Sequence, residues 1–219
     1  MTLDYCNGKI DKPTLCGALK ERDARSQLEM ESSHFLHHHS SVLVDLFPMA
    51  RFVLTVRDPL SWIQSEITQN VRASHPRFAI WHKLRALRYG RYNIERPEQE
   101  RELGKWSAIW PIESYFKYWS DHHKTVLEQV PAERLLTIPV WEIENSVDRL
   151  CQFLCPDISP LELDLSRAHS GRSLKSIDLY AYVDQNYIEK LAEEHCGESI
   201  DRLKKLVPSL ELCRENPPL

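Results

Sequence analysis

The stretch from residue 51 to residue 65 constrains the fold most, because an apolar run in it leads directly into a helix start. Residues 52–56 are apolar and β-branched, which predicts a strand covered on both faces of a parallel sheet. Asp58 suits an N-cap and Pro59 suits the first helical position, so a helix should open there or one residue later. The start of such a helix offers free N–H donors to an anion at the carboxyl end of the strand.

Three polar side chains around this helix start predict an anion site. Arg57 stands at the strand exit with a planar set of donors that suits phosphate. Ser61 and Ser65 lie four residues apart and therefore share one helix face. All three could converge on one anion. The alternative is that Arg57 pairs with a surface carboxylate and that both serines are solvated.

This segment resembles the signature of sulfotransferases that use 3′-phosphoadenosine 5′-phosphosulfate (PAPS), in which Arg-Asp/Asn-Pro ends a strand and a serine follows eight residues after the arginine. Arg57 and Ser65 have this spacing, and the resemblance implies that they bind the 3′-phosphate of the donor. It covers roughly residues 28–155 and is strongest toward bacterial and carbohydrate sulfotransferases. The segments that share it are residues 31–36, 46–51, 118–119, 126–127, 130–136 and 143–154.

The resemblance implies an α/β, P-loop-NTPase-like fold: a parallel sheet flanked by helices, shortened at its N-terminal end. It also implies a nucleotide-binding transferase that moves a sulfuryl group from PAPS, without a metal, to a hydroxyl or amine. The acceptor would be a small molecule, a glycan or a lipid. The sequence patterns agree, because a strand and a helix are followed by helix, strand and helix, as in βαβ units.

We expect a single domain over residues 1–219. Residues 1–27 show no clear period and predict a poorly structured lead of loop or weak helix. Residues 72–110 form a basic insert or lid, and residues 160–219 hold a loop that closes over the cofactor and a last helix, interrupted at Gly197. The other predicted elements are helices near residues 36–46, 112–130 and 147–154 and a strand over residues 134–138.

Glu31 and His34 are the candidate catalytic bases. By resemblance they occupy the region where sulfotransferases place a catalytic His or Glu, and an imidazole suits proton transfer near neutral pH. Alternatively, His34 begins a histidine-rich surface helix with residues 37–39. A third interpretation, metal binding by residues 34, 37 and 38, is disfavoured because no carboxylate or Cys pattern completes the ligand set.

The segment from Arg72 to Ile94 is cationic and contains no Asp or Glu. Its basic residues are Arg72, Arg77, Lys83, Arg85, Arg88 and Arg91, and its apolar residues at helical spacing are Ile80, Trp81, Leu84 and Leu87. This pattern predicts a basic amphipathic helix. The stripe could simply pack on the core. The helix could instead be a lid for an anionic or glycosylated acceptor, or residues 72–91 could touch a membrane surface that presents a lipid acceptor.

A small basic loop over residues 169–175 offers a second anion contact through Arg172. Its position resembles the late segment with which sulfotransferases close over the cofactor, although it does not match the Arg-Lys-Gly form of that segment. The alternative is a solvated turn.

The front of the chain departs from the family pattern. By resemblance, a strand and a Ser/Gly/Thr-rich loop should cradle the 5′-phosphosulfate, and residues 1–50 contain no such pattern. Either the chain is shortened, or residues 1–30 supply a substitute, or the protein is a noncatalytic nucleotide-binding or scaffold relative. A kinase-like phosphate-loop enzyme is disfavoured, because no Gly-rich Lys-Ser/Thr loop exists.

Composition adds exclusions rather than a function. No apolar run approaches the roughly 20 residues that span a bilayer and no signal-peptide pattern opens the chain, so a cytoplasmic location is expected. The six cysteines include no Cys-x-x-Cys pair, which predicts free thiols. A net charge of −4 argues against general nucleic-acid binding. The sequence does not indicate an oligomeric state.

Overall fold

The computed structural model describes residues 1–27, 29–72, 79–154 and 177–211. The helices and strands of this part are α1 (Thr2–Cys6), α2 (Lys12–Ser26), α3 (Ser40–Leu46), β1 (Phe52–Val56), α4 (Pro59–Arg72), α5 (Ala79–Arg88), α6 (Ile112–Gln129), β2 (Leu135–Pro139), α7 (Val147–Leu154) and α8 (Gln185–Lys204). Short 3-10 turns occupy Leu36–His39, Gly90–Tyr92, Glu98–Lys105, Ala132–Arg134, Val140–Glu142, Glu144–Ser146 and Leu179–Ala181.

The two strands pair in parallel, from Phe52 opposite Leu135 to Val56 opposite Pro139. A parallel pair requires a crossover, and α4 to α6 provide it. The predicted α/β order is therefore confirmed. Two strands do not identify a P-loop-like sheet, so that part of the expected fold stays a prediction.

One expectation about β1 is wrong. Leu54 and Val56 are buried, whereas Val53 is 40% exposed and Thr55 is also exposed. Successive side chains point to opposite faces of a strand, so only one face of β1 is covered within the described part of the chain. The short apolar run could not reveal this, because Val and Thr suit half-exposed strands equally well.

The core is built around α6, which packs against α8 and α4. Tyr115, Phe116 and Trp119 of α6 are almost completely buried. The predicted interruption of the last helix at Gly197 is wrong, because α8 runs continuously through that residue. The buried stripe of α8 continues on both sides of Gly197, so packing compensates for the roughly 1 kcal/mol by which glycine disfavours a helix.

Residues 2–6 and 12–26 are helical in the segment where the sequence predicted a loop or weak helix. Asp11 caps α2 by accepting a hydrogen bond from the backbone N–H of Thr14 at 2.9 Å, and Pro13 fits the first turn. Leu15 and Leu19, four residues apart on α2, are buried against α3. Tertiary burial of two leucines, rather than a long apolar pattern, therefore fixes this helix.

The remaining predicted elements agree with the structure. The helix after Asp58 begins at Pro59, and α6, β2 and α7 lie within a residue or two of their predicted bounds. The final helix is also present, two residues earlier than expected.

Every helix in the described part of the chain is too short or too polar to span a lipid bilayer. Cys6, Cys16, Cys151 and Cys196 are free thiols, and Cys155 and Cys213 lie outside the described residues. The cytoplasmic location stays a prediction.

The packing of α2 can be tested by cavity formation. Leu19 is 1% exposed, so Leu19→Ala should lower the free energy of unfolding by about 2–5 kcal/mol through lost burial and an unfilled cavity. Urea denaturation would measure the change. Leu206→Ala, at a position 49% exposed, should change the stability by less than about 0.5 kcal/mol. Equal stabilities for Leu19→Ala and the wild type would show that α2 is not part of the cooperative core.

Candidate functional site

The backbone at the end of β1 is held from the side by α6. The indole N–H of Trp119 donates a hydrogen bond to the carbonyl of Arg57 at 3.1 Å. Trp119 is 2% exposed, so this bond lies in the core and is shielded from competing water. It fixes where the chain leaves the strand and hence where the Arg57 side chain starts.

Asp58 caps the helix that follows. Its Oδ1 accepts the backbone N–H of Ser61 at 2.8 Å, and its Oδ2 accepts the hydroxyl of the same residue. The predicted N-cap is confirmed. Asp58 is 5% exposed, and both of its oxygens are engaged at the start of α4.

Arg57 uses a single donor within the described residues. Its Nε donates to the hydroxyl oxygen of Ser61 at 2.9 Å, and its terminal nitrogens have no hydrogen-bond or ion-pair partner in that part of the chain. Burial lowers the pKa of Arg57, because the charged form loses water, while the charge of Asp58 opposes this shift. The result is a half-buried cation with free donors at a helix start.

Ser65 lies one helical turn beyond Ser61 and is also half-buried. Its hydroxyl has no hydrogen-bond partner among the described residues. The hydroxyl of Ser61, in contrast, is already committed to Arg57 and Asp58. Arg57 and Ser61 are therefore in contact and Ser65 follows one turn later on the same helix, but Ser61 orients Arg57 rather than offering a free donor. The convergence of all three on one anion stays a prediction.

The segment that begins at Ile177 forms two hydrogen bonds with α4, the helix that carries Ser61 and Ser65. The backbone N–H of Ile177 donates to the Thr68 hydroxyl at 3.0 Å, and that of Leu179 donates to the Gln64 side chain at 3.0 Å. Thr68 shares a helix face with Ser61 and Ser65. Arg172, the remaining predicted cofactor contact, lies outside the described residues.

A buried ion pair that sequence analysis did not predict joins α4 to α5. Arg88 donates to Glu66 at 2.9 Å, and the Tyr89 hydroxyl donates to the same carboxylate oxygen at 2.7 Å. The Arg88 and Glu66 side chains are only 7% and 12% exposed. One signal was present in the sequence: the segment after Arg72 holds many cations and no acid, so its arginines need partners from other elements.

Histidines cluster between the Leu36–His39 turn and α6. His37 donates its Nδ1–H to the carbonyl of His34, and His123 donates its Nδ1–H to the carbonyl of Trp119, both at 2.7 Å. Burial lowers the pKa of His37 and of His123 to about 4, so both rings are neutral at pH 7. The interpretation of a solvated histidine face is wrong for His37 and His39, which are 5% and 3% exposed.

The two candidate bases both precede this turn in the chain. The ring of His34 is solvent-exposed and lies 4.1 Å from that of Phe35, while partial desolvation and the nearby Arg88 charge lower its pKa to about 4. Glu31 forms an ion pair with Arg22. Among the described residues, no group of three His, Cys, Asp or Glu side chains could hold a metal ion.

Helix α5 is amphipathic as predicted. One interpretation placed its apolar stripe against the core, but the structure buries two of its arginines instead. Arg85 and Arg88 are both 6% exposed. The apolar stripe at residues 80, 84 and 87 instead lines a cavity of about 990 Å³, which Glu31 also lines. The structure thus brings Glu31 to a cavity, whereas Arg57 and Ser65 are not among the residues that line it.

The comparisons with known proteins agree with the sequence resemblance. A family model described as a sulfotransferase domain matches residues 29–165, more than half of the chain and nearly the extent that the resemblance implied. No curated protein and no solved structure matches the chain. The narrower likeness to bacterial and carbohydrate sulfotransferases stays a prediction.

The buried histidines predict an acid-sensitive fold. An unfolded histidine titrates near pH 6.5, so between about pH 6.5 and pH 4 the unfolded chain binds more protons at position 123 than the folded chain does. The free energy of unfolding should therefore fall as the pH drops through this range, by about 3 kcal/mol from His123. His123→Gln should show a correspondingly shallower pH dependence in urea denaturation.

Lys124→Gln, a change at the next and exposed position of α6, is the matched control and should keep the wild-type slope. An unchanged slope in His123→Gln would mean that this ring is not buried in neutral form.

Proposed function

This chain belongs to the sulfotransferase family, and we propose that it is a PAPS-dependent sulfotransferase acting on a hydroxyl or amine acceptor. The observation that carries the proposal is the guanidinium of Arg57, which is half-buried and oriented by Ser61, and whose terminal donors have no partner among the described residues. A desolvated cation gains most from an anion that replaces its lost water. Its position at the start of α4 adds the positive end of the helix dipole.

The residues present fit the 3′-phosphate of the donor. The terminal nitrogens of Arg57 and the hydroxyl of Ser65 are the proposed contacts, and both lack partners among the described residues. Ser61 is a positioning residue, since its hydroxyl is held by Arg57 and Asp58. Arg172 is proposed as a further cation. Arg172 lies five residues before Ile177, and the backbone N–H of Ile177 donates a hydrogen bond to Thr68 on α4.

When bound, the donor supplies a sulfuryl group whose bond to the phosphate oxygen breaks as a bond to the acceptor oxygen or nitrogen forms, leaving adenosine 3′,5′-bisphosphate. The acceptor proton must leave, and His34 or Glu31 is the proposed base. His34 is favoured, because it is exposed and neutral and so can accept a proton.

The position of His34 also supports this role. It lies within the electrostatic influence of Arg88 and Glu66, and Glu66 follows Ser65 directly on α4. A pKa near 4 makes imidazole a weak base, but negative charge bound nearby would raise it toward neutrality. Anion binding and activation of the base would then be linked.

A second candidate is a noncatalytic nucleotide-binding relative that keeps the Arg57 site. The observation that favours it lies before β1, where the described residues 1–27 and 29–50 form helices and turns and contain no strand. By resemblance, this is the region that should supply a strand and a loop for the 5′-phosphosulfate.

The anion site can be tested with adenosine 3′,5′-bisphosphate in isothermal titration calorimetry. Arg57→Ala should weaken binding by at least about tenfold, since charge-assisted hydrogen bonds contribute roughly 1.5–3 kcal/mol. Ser65→Ala, which removes a neutral donor, should weaken it by only about threefold to tenfold.

Arg51→Ala is the matched control, because Arg51 is an exposed arginine just before the opposite end of β1. It should bind like the wild type. Equal affinities in the wild type and Arg57→Ala would reject the site for this nucleotide.

The base can be identified by transfer of labelled sulfate from PAPS. His34→Gln should lower kcat about 10²-fold or more, as expected for loss of general-base catalysis, and keep wild-type affinity for the bisphosphate. Glu31→Gln should lower kcat less.

Unchanged kcat in His34→Gln, with a loss in Glu31→Gln, would move the role to Glu31. If the wild type binds the bisphosphate but transfers no sulfate to any acceptor, the noncatalytic candidate holds instead.

A further inference from the structure

The apolar stripe of α5 faces a cavity instead of the core. Ile80, Leu84 and Leu87 recur at helical spacing along one wall of the 990 Å³ cavity. Ile80 remains 55% exposed, and the other two are half-buried. Leaving an aliphatic stripe in contact with water is unfavourable, by roughly 25 cal/mol for each Å² of apolar surface. A ligand with an apolar body would remove that surface from water.

The rest of the lining mixes apolar with polar and charged side chains. Its apolar members include Met1 and Leu3, at the start of the chain and in α1, and Phe35 and Leu36 from the segment before α3. At one end the ring of Trp110 lies directly against Gly90, where a Cβ atom would approach the indole to 2.7 Å. The absence of a side chain at residue 90 lets a large flat ring form part of the wall.

The charges on the cavity are unevenly neutralised. Glu31 pairs with Arg22, and Asp4 pairs with the N-terminal amine at 3.0 Å. Lys9 and Lys83 also line the cavity and form no ion pair within the described part of the chain. With its two carboxylates engaged, the cavity carries uncompensated positive charge, which favours an anionic group on the ligand.

We propose that this cavity binds a single amphipathic anion, with an aliphatic body against the α5 stripe and a carboxylate or similar group near Lys83 and Lys9. The volume is at the upper end of the roughly 300–1,000 Å³ of small-molecule sites. Resting on the proposed function, the same molecule is the sulfuryl acceptor, an amphiphile that carries a hydroxyl or amine.

The position of the candidate base agrees with that acceptor assignment. Ser33 and Phe35, the neighbours of His34, line the cavity, and Glu31 does so as well. Phe35 also lies 6.0 Å from the guanidinium of Arg88, which is bound to Glu66 on α4. Of the two candidate bases, Glu31 therefore lines the cavity itself, and His34 lies between two lining residues in the segment that contacts Arg88.

The binding test compares three probes of equal chain length on the full chain: decanoate, 1-decanol and decyltrimethylammonium, each below its micelle concentration. Calorimetry should rank decanoate first and the cation last. Ile80→Asp should weaken decanoate binding about tenfold or more, because it places a charge in the apolar wall. Trp81→Asp is the matched control. Trp81 is the next residue, is 43% exposed and does not line the cavity, so this variant should bind like the wild type.

The charge is tested separately. Lys83→Glu should weaken decanoate about tenfold and leave 1-decanol unchanged, whereas Lys124→Glu, an exposed change on α6, should alter neither. Urea midpoints equal to that of the wild type would show that the variants are folded. Equal decanoate affinity in the wild type and Ile80→Asp would overturn the cavity as the binding site. Tighter binding of the cation would overturn the anionic ligand.

The acceptor assignment is tested with ω-hydroxydecanoate and labelled PAPS. We expect the protein to transfer sulfate to this compound. Ile80→Asp should reduce the transfer, and Trp81→Asp should not. The acceptor assignment would be overturned if ω-hydroxydecanoate bound in the cavity but received no sulfate, while simple alcohols did receive it. Failure of the proposed function gives a different result, namely no transfer to any acceptor while decanoate binding keeps its dependence on Ile80 and Lys83.

Discussion

The carboxylate of Asp58 determines how the neighbouring arginine can be used. Adjacent Arg and Asp residues at a helix start would ordinarily neutralise each other, but both oxygens of Asp58 are occupied by the backbone and hydroxyl of Ser61. Ser61 in turn accepts a hydrogen bond from Arg57, so the acid acts on the guanidinium through the serine. The helix cap therefore orients the cation without engaging its terminal donors, which have no partner in the described part of the chain. Trp119 completes the arrangement by fixing the carbonyl of Arg57 from the core.

Much of this arrangement could be predicted from the sequence because its causes are local. The cap of α4 depends on Asp58 and Pro59, and the shared face of Ser61 and Ser65 follows from helical spacing. Likewise, the spacing of apolar residues within α6 and within β2 is enough to predict a helix and a strand there. The hydrogen bond from Trp119 spans 62 positions, so no local pattern could reveal it. The cofactor roles of Arg57 and Ser65 come from family resemblance, since spacing alone gives only a candidate anion site.

The predictions that failed concern burial by distant parts of the chain. Two leucines at positions 15 and 19 suffice to hold α2 once α3 covers them, although their segment lacks an extended apolar period. His37 suggested a solvated face because histidine clusters usually are solvated. Its burial is tolerated because a carbonyl accepts its Nδ1–H and the ring stays neutral. In each case the deciding contact is supplied by residues from another element, and hydropathy along the chain does not contain it.

The orientation of α5 follows from where its arginines find partners. A buried guanidinium is tolerated only when it is paired and hydrogen-bonded, and Arg88 meets both conditions through Glu66 and by lying 4.4 Å above the ring of Tyr118. This requirement turns one face of the helix toward α4 and α6. The aliphatic residues lie about a third of a turn away, on a neighbouring face of α5, where they line the cavity together with residues of α1 and Phe35. The ion pair that ties α5 to the helix carrying Ser65 thus leaves this neighbouring face to the cavity.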